Sequence, residues 1–269
     1  MTPIRINCTS NQQWREERSR SVGASAIGTI IGVSRFQTAA QLQAKMKAEL
    51  RGEYDYRQTT AMRRGHYYEG GVAQWFADET GYQLIQSSAA EYIVRQPNMP
   101  FLHCSPDREY WIDDNKPKNG KFAFLNKGIL ECKTTRTCVY VNHLPHYWLL
   151  QLQCQMGITE CHHGHLVWDQ LHKAEGFGWA QFPYDEEVFR AIVKVADYFW
   201  YRCVIGDVVP PPPEYYQRQY PCLFAGDWMH PIKYSANSTA EVVAPLTATP
   251  AQSTTKGIFS WFDKLLKRL

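Results

Sequence analysis

The chain lacks any apolar run of about 18 residues, the length that a membrane-spanning helix needs. Its opening residues, Met-Thr-Pro-Ile-Arg-Ile-Asn, also lack the basic segment followed by an apolar one that directs secretion. We therefore expect a cytoplasmic protein with no membrane partner. Disulfides are not expected, because eight cysteines spread along a chain without a secretion signal are typical of reduced thiols. No internal repeat is visible.

A large excess of charge of either sign is missing as well. The chain has 29 Lys and Arg against 26 Asp and Glu, a net charge of +3, and a pI of about 8.3. Composition alone therefore does not identify a nucleic-acid-binding protein, and contacts to DNA would need locally concentrated basic residues. The content of 44% hydrophobic and 14% aromatic residues is enough for one substantial core.

The composition changes near residue 235. Residues 1–234 have the pattern of a folded domain, whereas residues 235–255 are rich in Ser, Thr, Ala and Pro, carry one charge, and predict a flexible linker. Residues 256–269 form a predicted amphipathic helix with its apolar side chains on one face. That helix either packs on the protein's own core or binds elsewhere, in the groove of a partner or at a membrane surface.

Hydrophobic periodicity and turn signals predict alternating helices and strands within residues 1–234. Ser25 is expected to cap the apolar run 26–32, and Pro145 to begin a helix. The predicted helices cover residues 14–50 with interruptions, 63–80, 145–157 and 185–205, and the predicted strands cover residues 82–94, 101–112, 121–133, 162–169 and 177–183.

Two carboxylates and a lysine stand out within residues 103–133. Asp107 follows a Ser-Pro pair, and 24 residues later Glu131 and Lys133 end a short apolar run. Because side chains alternate between the faces of a strand, Glu131 and Lys133 point the same way, and Cys132 points away as a small buried hydrophobe. Phosphodiester hydrolysis uses hard divalent cations, and Mg²⁺ prefers carboxylate oxygens. This set therefore predicts a metal-dependent phosphodiesterase.

A second cluster, Cys154, Cys161, His162, His163 and His165, raises the alternative of a structural zinc site. Zinc sites usually show paired ligands at short fixed spacings in both halves. Here the histidines alternate along a predicted strand and so point to different faces, and no Cys-x-x-Cys pair accompanies them. The pattern therefore favours a structural role without zinc.

Five separated blocks between about residues 14 and 207 resemble the phage lambda exonuclease or YqaJ-type viral recombinase family, within the PD-(D/E)XK nucleases. Single blocks such as Ser-Pro-Asp occur by chance, whereas all five in order are specific. One departure is Trp148, where the family often has Tyr. The blocks are Trp14-x-x-x-Arg18 with Val22-Gly-Ala-Ser25 and Ile31-Gly32, Gly65-x-x-x-Glu69, Cys104-Ser-Pro-Asp107, Leu130-Glu-Cys-Lys133, and Pro145-x-x-Trp148-x-x-Gln151-x-Gln153-x-x-Met156.

The resemblance implies an α/β fold with a PD-(D/E)XK restriction-endonuclease-like core, in which a central mixed β-sheet is flanked by helices. It also implies that Asp107, Glu131 and the backbone carbonyl of Cys132 bind metal, with Glu69 as an additional ligand. The cofactor would be Mg²⁺, as two ions, with Mn²⁺ able to substitute. The family's further acidic residue between the second and third blocks has no counterpart, since residues 95–98 read Arg-Gln-Pro-Asn.

The same resemblance assigns the remaining site residues. Lys133 would orient and acidify the attacking water. Gln151 would hold Lys133 or that water in position without itself binding the metal. Arg18, Ser25 and Ser105 would line a pocket for the 5′-phosphate of the digested strand, a task that suits the forked guanidinium of arginine.

Plainer interpretations compete with these roles. Asp107 could be a turn residue, Glu131 and Lys133 an exposed strand pair, and Glu69 part of a solvated helix face. Arg18 lies in the charged run 15–20 and could be solvated in the same way. Gln155, one helical turn after Gln151, is the alternative to it, and Ser25 could serve as a helix cap, a phosphate contact or both.

The implied activity is digestion of linear double-stranded DNA from its ends, 5′ to 3′, to mononucleotides, leaving 3′ single strands for annealing recombination. The family context also implies a ring-shaped homotrimer, encoded by a phage or prophage in a bacterial host, with residues 256–269 binding a single-strand annealing protein. Two rival hypotheses are a PD-(D/E)XK endonuclease, restriction-like or structure-specific, and a non-catalytic scaffold that binds DNA ends.

Overall fold

The computed structural model describes residues 2–55, 59–85, 91–112, 127–174 and 176–235. The predicted linker 235–255 beyond its first residue, and the helix predicted at 256–269, lie outside the described residues. The strands are β1 (Ile4–Cys8), β2 (Val22–Gly23), β3 (Gln83–Ile85), β4 (Glu91–Arg95), β5 (Leu102–Cys104), β6 (Arg108–Trp111), β7 (Lys127–Thr135), β8 (His163–Gln170), β9 (Phe177–Pro183) and β10 (Lys233–Tyr234). The α-helices are α1 (Asn11–Ser19), α2 (Ile27–Ile30), α3 (Ala39–Leu50), α4 (Thr60–Thr80), α5 (His146–Thr159), α6 (Glu186–Tyr198) and α7 (Pro213–Gln219).

These strands form two mixed sheets. The larger sheet has the order β10-β9-β8-β7-β6-β3, and only its β7–β8 pair is parallel among the described strands. The smaller sheet has the order β1-β4-β5-β2, with β2 parallel to β5. Parallel neighbours need a long crossover, and α5 lies in the connection between β7 and β8.

Helix α5 lies at the centre of the molecule. Its residues from Trp148 onward are almost all buried, and apolar side chains occur around most of its circumference, as expected for a helix enclosed on several sides. Close packing depends on a glycine there, because a Cβ atom on Gly157 would lie 2.2 Å from the ring of Phe189 in α6. The larger hydrophobic core surrounds α5, and a smaller one lies between α4 and the other face of the six-stranded sheet.

Two predicted strands are each divided in the structure. The segment predicted as a strand over 82–94 supplies β3 to the larger sheet and β4 to the smaller one. The segment 101–112 likewise supplies β5 to the smaller sheet and β6 to the larger one. The second division falls at Ser105-Pro106-Asp107, where proline has no N–H to donate to a strand ladder.

The predicted helix cap at Ser25 was wrong. The chain enters α2 through a 3₁₀ turn over Ala24–Ala26, so Ser25 lies inside that turn and no side chain caps either element. The helix predicted over 185–205 is confirmed in extent: α6 ends at Tyr198 and continues directly as a π-helix over Phe199–Ile205. No helix in the described ranges is both long and apolar enough to span a bilayer.

Candidate active site

Strand β7 presents the predicted glutamate and lysine side by side. Lys133 Nζ donates to Glu131 Oε1 at 2.5 Å, so both side chains project from the same face of the strand. Leu130 packs on the opposite face against α4, with Cys132 partly buried beside that cluster. The period-2 alternation predicted for this segment is therefore the alternation observed.

Two glutamines of α5 complete the environment of Glu131. Gln151 Nε2 donates to Glu131 Oε1 at 2.6 Å, and Gln155 Nε2 donates to Glu131 Oε2 at 2.5 Å. Gln151 also accepts from Lys133 Nζ at 2.9 Å. The Glu131 side chain is only 4% exposed, and a buried carboxylate of this kind depends on such donors. Gln151 and Gln155, which the sequence left as alternatives, therefore both contact Glu131, and Gln151 also contacts Lys133.

Asp107 directly precedes β6 and contacts β7. The β6–β7 ladder ends at the pair Arg108 and Leu130, one residue before Asp107 and Glu131 would face each other. Instead of a backbone group, the Asp107 carboxylate accepts the N–H of Cys132 through Oδ2 at 2.7 Å. The divided strand thus brings Asp107 beside Glu131, which lie 24 residues apart in the sequence.

Burial and neighbouring charges shift the pKa values of Asp107 and Lys133. Burial raises the pKa of Asp107 well above its ordinary value, and the neighbouring charges of Glu131 and Glu69 raise it further. Burial opposes the charge on Lys133, but Glu131 and Asp107 outweigh that effect, so the pKa of Lys133 is raised. Lys133 is therefore a positive charge at neutral pH, and the site holds closely spaced negative charge that a cation would stabilise.

Glu69 lies on α4 and lines the same cleft as Asp107. Its Oε1 accepts from Arg108 Nη1 at 2.7 Å, so this helix carboxylate is held by an arginine adjacent to Asp107. Sequence reasoning missed this arginine. Its position next to the Ser-Pro-Asp motif gave no signal, because its role depends on how α4 packs across the sheet.

The donor set fits a hard divalent cation. Mg²⁺ is typically held by one or two carboxylates, with water and substrate phosphate as the remaining ligands. Asp107 and Glu131 would supply the carboxylates, and the backbone carbonyl of Cys132 is a further oxygen on the same strand. Within the described ranges, no three or more His, Cys, Asp or Glu side chains are grouped so that together they could hold a metal ion.

A cleft of about 1170 Å³ runs past these residues. Asp107, Glu69 and Gln151 line it together with side chains of α1 and α4. It adjoins a recess of about 30 Å³ whose walls include all three predicted phosphate contacts, Arg18, Ser25 and Ser105. These residues come from three separate segments of the chain, so the fold gathers them.

The three residues predicted to bind phosphate differ in the contacts that they make in the structure. Arg18 lies with its guanidinium carbon 4.4 Å from the ring centre of Trp14. Ser105 donates its hydroxyl to the carbonyl of Tyr92 at 2.6 Å, leaving the Ser105 oxygen as an acceptor unless the hydroxyl rotates. Ser25 is exposed. Their roles in phosphate binding remain predictions.

The histidines of the second cluster make separate contacts. His165 Nδ1 lies 2.6 Å from the hydroxyl of Tyr110, and His163 Nδ1 lies 3.1 Å from Gln181 Nε2. His162 stacks on Tyr184 with ring centres 4.1 Å apart. His163 and His165 are two residues apart in β8 and so share a face of the strand, contrary to the expectation that the histidines point to different faces. The three rings nevertheless have different neighbours.

Comparisons with known proteins identify a family for the chain. The model of the YqaJ-like viral recombinase domain matches residues 13–162. The uncharacterized protein YqaJ of Bacillus subtilis (strain 168) is 24% identical over 205 residues, which are 75% of this chain and 59% of YqaJ. The chain thus spans less than two thirds of the length of that relative.

Solved structures match the fold. Two crystal structures of LHK-Exo, one of them in complex with dAMP and one described as an alkaline exonuclease from Laribacter hongkongensis, align with TM-scores of 0.55 and 0.54. The sequence identities are 16% and 17%, and each alignment covers 79% of this chain and 100% of LHK-Exo. The predicted α/β fold of the PD-(D/E)XK type is confirmed. The domain match covers more than half of the chain, and this protein therefore belongs to the YqaJ-like viral recombinase family.

Proposed function

We propose that the protein is a metal-dependent exonuclease that digests one strand of linear double-stranded DNA, 5′ to 3′, and leaves 3′ single-stranded overhangs for annealing recombination. The observation that carries this proposal is the gathering of Asp107, Glu131 and Lys133 at the middle of β7, where β6 ends, beside the 1170 Å³ cleft. Family membership supports a recombination role, and the likeness to LHK-Exo supports the fold on which such a site is built.

Asp107, Glu131 and the carbonyl of Cys132 would hold the cation, with Glu69 contributing after it leaves Arg108. We propose two Mg²⁺ ions, with Mn²⁺ able to replace them. A bound divalent cation neutralises charge on the phosphate and makes water a stronger acid. The raised pKa of Asp107, caused by burial and then by its carboxylate neighbours, indicates negative charge that such an ion would offset.

Lys133 would act on the attacking water. Its ammonium is held in place by Glu131 and Gln151, so its direction is fixed before substrate binds. A compact positive charge at this point stabilises hydroxide and the developing charge on the phosphate. Gln151 and Gln155 position Glu131 by donating to both of its oxygens.

The recess lined by Arg18, Ser25 and Ser105 would hold the 5′-phosphate of the strand being digested. We further propose a homotrimer that encloses DNA, acting in the cytoplasm of a bacterial host of the encoding phage or prophage. The net charge of +3 would hold the protein on DNA only weakly. A ring that encloses the DNA would keep the protein on its substrate through successive cuts.

Topology of the substrate tests the function. With Mg²⁺, linear duplex should be degraded while covalently closed plasmid resists, and EDTA should stop the reaction. Gel analysis of the same plasmid before and after one restriction cut provides matched substrates. Cleavage of the closed circle would indicate an endonuclease, and binding to ends without cleavage in Mg²⁺ would indicate a scaffold. Either outcome would contradict the proposal.

Residues 256–269 are proposed to bind a single-strand annealing protein. The support is an aromatic amphipathic sequence beyond a weakly charged linker, in a part of the chain that the domain match does not cover. Deleting residues 250–269 should leave the rate of digestion within about twofold and remove co-purification of the annealing protein. Lost digestion would instead indicate that the helix packs on the nuclease itself.

A further inference from the structure

His103 is a buried polar side chain that the proposed chemistry does not use. It lies in β5 between Arg95 of β4 and Gly23 of β2, and it is 2% exposed. Its strand neighbours Leu102 and Cys104 point into the larger core, so the His103 ring points to the other face of the small sheet. On that face it forms part of the wall of the 30 Å³ recess.

One ring nitrogen of His103 is partnered and the other is not. Nδ1 lies 2.8 Å from the hydroxyl oxygen of Ser21. Nε2 is buried and has no hydrogen-bond partner among the described residues. A buried polar atom without a partner costs free energy, and such an atom in the wall of a recess indicates that a ligand supplies the missing bond.

Glycine gives access to this nitrogen. A Cβ atom on Gly23 would lie 3.2 Å from His103 Nε2 and 3.9 Å from an Arg18 guanidinium nitrogen. The missing side chain therefore leaves space between the imidazole and the guanidinium. The volume of about 30 Å³ suits one oxygen-sized group, such as a single oxygen of a phosphate whose remainder lies in the main cleft.

The surroundings of this space favour an anion. Burial lowers the pKa of His103 well below its ordinary value, and the nearby positive charges of Arg18 and Arg95 lower that pKa further. The imidazole is therefore neutral and carries one N–H. When Ser21 donates to Nδ1, that N–H is on Nε2 and can donate into the recess beside Arg18.

We propose that His103 Nε2 is a direct hydrogen-bond donor to the terminal 5′-phosphate, positioned by Ser21 and made accessible by the absence of a side chain at Gly23. This inference rests on the proposed function for the identity of the anion. The phosphate oxygen would accept from His103 Nε2 and from Arg18 together. Discrimination between phosphorylated and unphosphorylated ends would then depend on a residue outside the five sequence blocks.

Binding in EDTA tests this separately from cleavage. The full-length chain is titrated into labelled linear duplexes that carry a 5′-phosphate or a 5′-hydroxyl, and the ratio of the two Kd values is measured. Wild type should prefer the phosphorylated end. H103L should reduce that preference roughly tenfold to hundredfold, as expected for one lost hydrogen bond to a charged group. Arg18→Ala provides the reference for a lost contact to the same phosphate.

Three further variants separate the donor from its surroundings. H103Q, which offers an N–H at similar reach, should keep most of the preference. G23A should reduce it by filling the space, without backbone strain because the φ angle of Gly23 is −83°. His165→Leu removes another buried histidine with an unpartnered Nε2, outside the recess, and should leave the ratio unchanged.

Several results would overturn the inference. One is a wild-type protein that binds phosphorylated and unphosphorylated ends equally well. Another is an H103L variant with the wild-type ratio of Kd values, and a third is an H103Q variant whose end preference is as weak as that of H103L. Equal weakening of both duplexes would place an internal phosphodiester in the recess instead. Because no cleavage is measured, a chain that binds phosphorylated ends and never cuts them would refute the proposed nuclease while leaving the role of His103 intact.

Discussion

Replacing Lys133 with alanine should reduce the rate of DNA digestion on the order of 10²–10⁴-fold, the range expected when a group that assists proton transfer is lost. The ammonium that Glu131 and Gln151 hold in place would no longer act on the attacking water. Affinity for the duplex should change little, because Lys133 is largely buried and is one charge among many. The measurement is single-turnover digestion of linear duplex, paired with binding in EDTA.

Lys127 offers a matched control for that experiment. It begins the same strand, lies 5.3 Å from the ring centre of Trp111, and contacts Glu109 at 3.7 Å, away from the site. Lys127→Ala should therefore digest DNA at the wild-type rate. A K133A variant that folds, binds DNA and digests it at an undiminished rate would remove Lys133 from the mechanism.

Asp107→Asn should abolish digestion and at the same time stabilise the protein in EDTA at neutral pH. Burial and the charges of Glu131 and Glu69 disfavour the ionised form of Asp107 in the folded state. Asparagine removes that charge, and its oxygen can still accept the N–H of Cys132. The Tm should rise by a few degrees, since 1 kcal/mol corresponds to about 2–4 °C for a domain of this size.

The sign of the pH dependence follows from the raised pKa of Asp107. Below the ordinary carboxyl pKa this side chain is protonated in both the folded and unfolded states, so D107N and wild type should unfold at similar temperatures. As the pH rises through the raised folded-state pKa, only wild type must ionise a disfavoured carboxyl, and its stability falls relative to D107N. Scanning calorimetry between acid and neutral pH measures the difference.

Two additions complete the Asp107 experiment. Mg²⁺ should raise the Tm of wild type more than that of D107N, because a cation bound to the folded state stabilises it. Asp197→Asn, an exposed change on α6, should alter neither digestion nor the response to Mg²⁺. A D107N variant that is less stable than wild type in EDTA at neutral pH would contradict the electrostatic account.

The central features of the fold were predictable because they depend on local periodicity. Alternation placed Glu131 and Lys133 on one face, and the helix expected from Pro145 is α5, which supplies both glutamines. Sheet membership was not predictable. The runs 82–94 and 101–112 each look like one strand, and their division between two sheets depends on pairing with distant segments that leave no local pattern.

The site was predictable to the same extent. The blocks marked the carboxylates and the lysine, and the sequence offered Gln155 as an alternative to Gln151. The parts played by Arg108 and His103 depend on how α4 and the small sheet pack around them. The expected helix cap at Ser25 was wrong because the 3₁₀ turn that precedes α2 already includes that residue. A serine inside a turn and a serine before a helix look alike in one sequence.

The short connection between the two sheets has a consequence for product size. Ser105 belongs to the proposed anchor of the DNA end and Asp107 to the proposed hydrolytic centre, and two residues span at most about 7 Å. The proposed DNA-end anchor and the proposed hydrolytic centre are therefore held at a short distance by covalent bonds, and Pro106 between them restricts the backbone. Under the proposed function, this fixed distance would make each cut remove one nucleotide. Inserting one residue between Ser105 and Asp107 would then change the length of the released product and not only the rate of digestion.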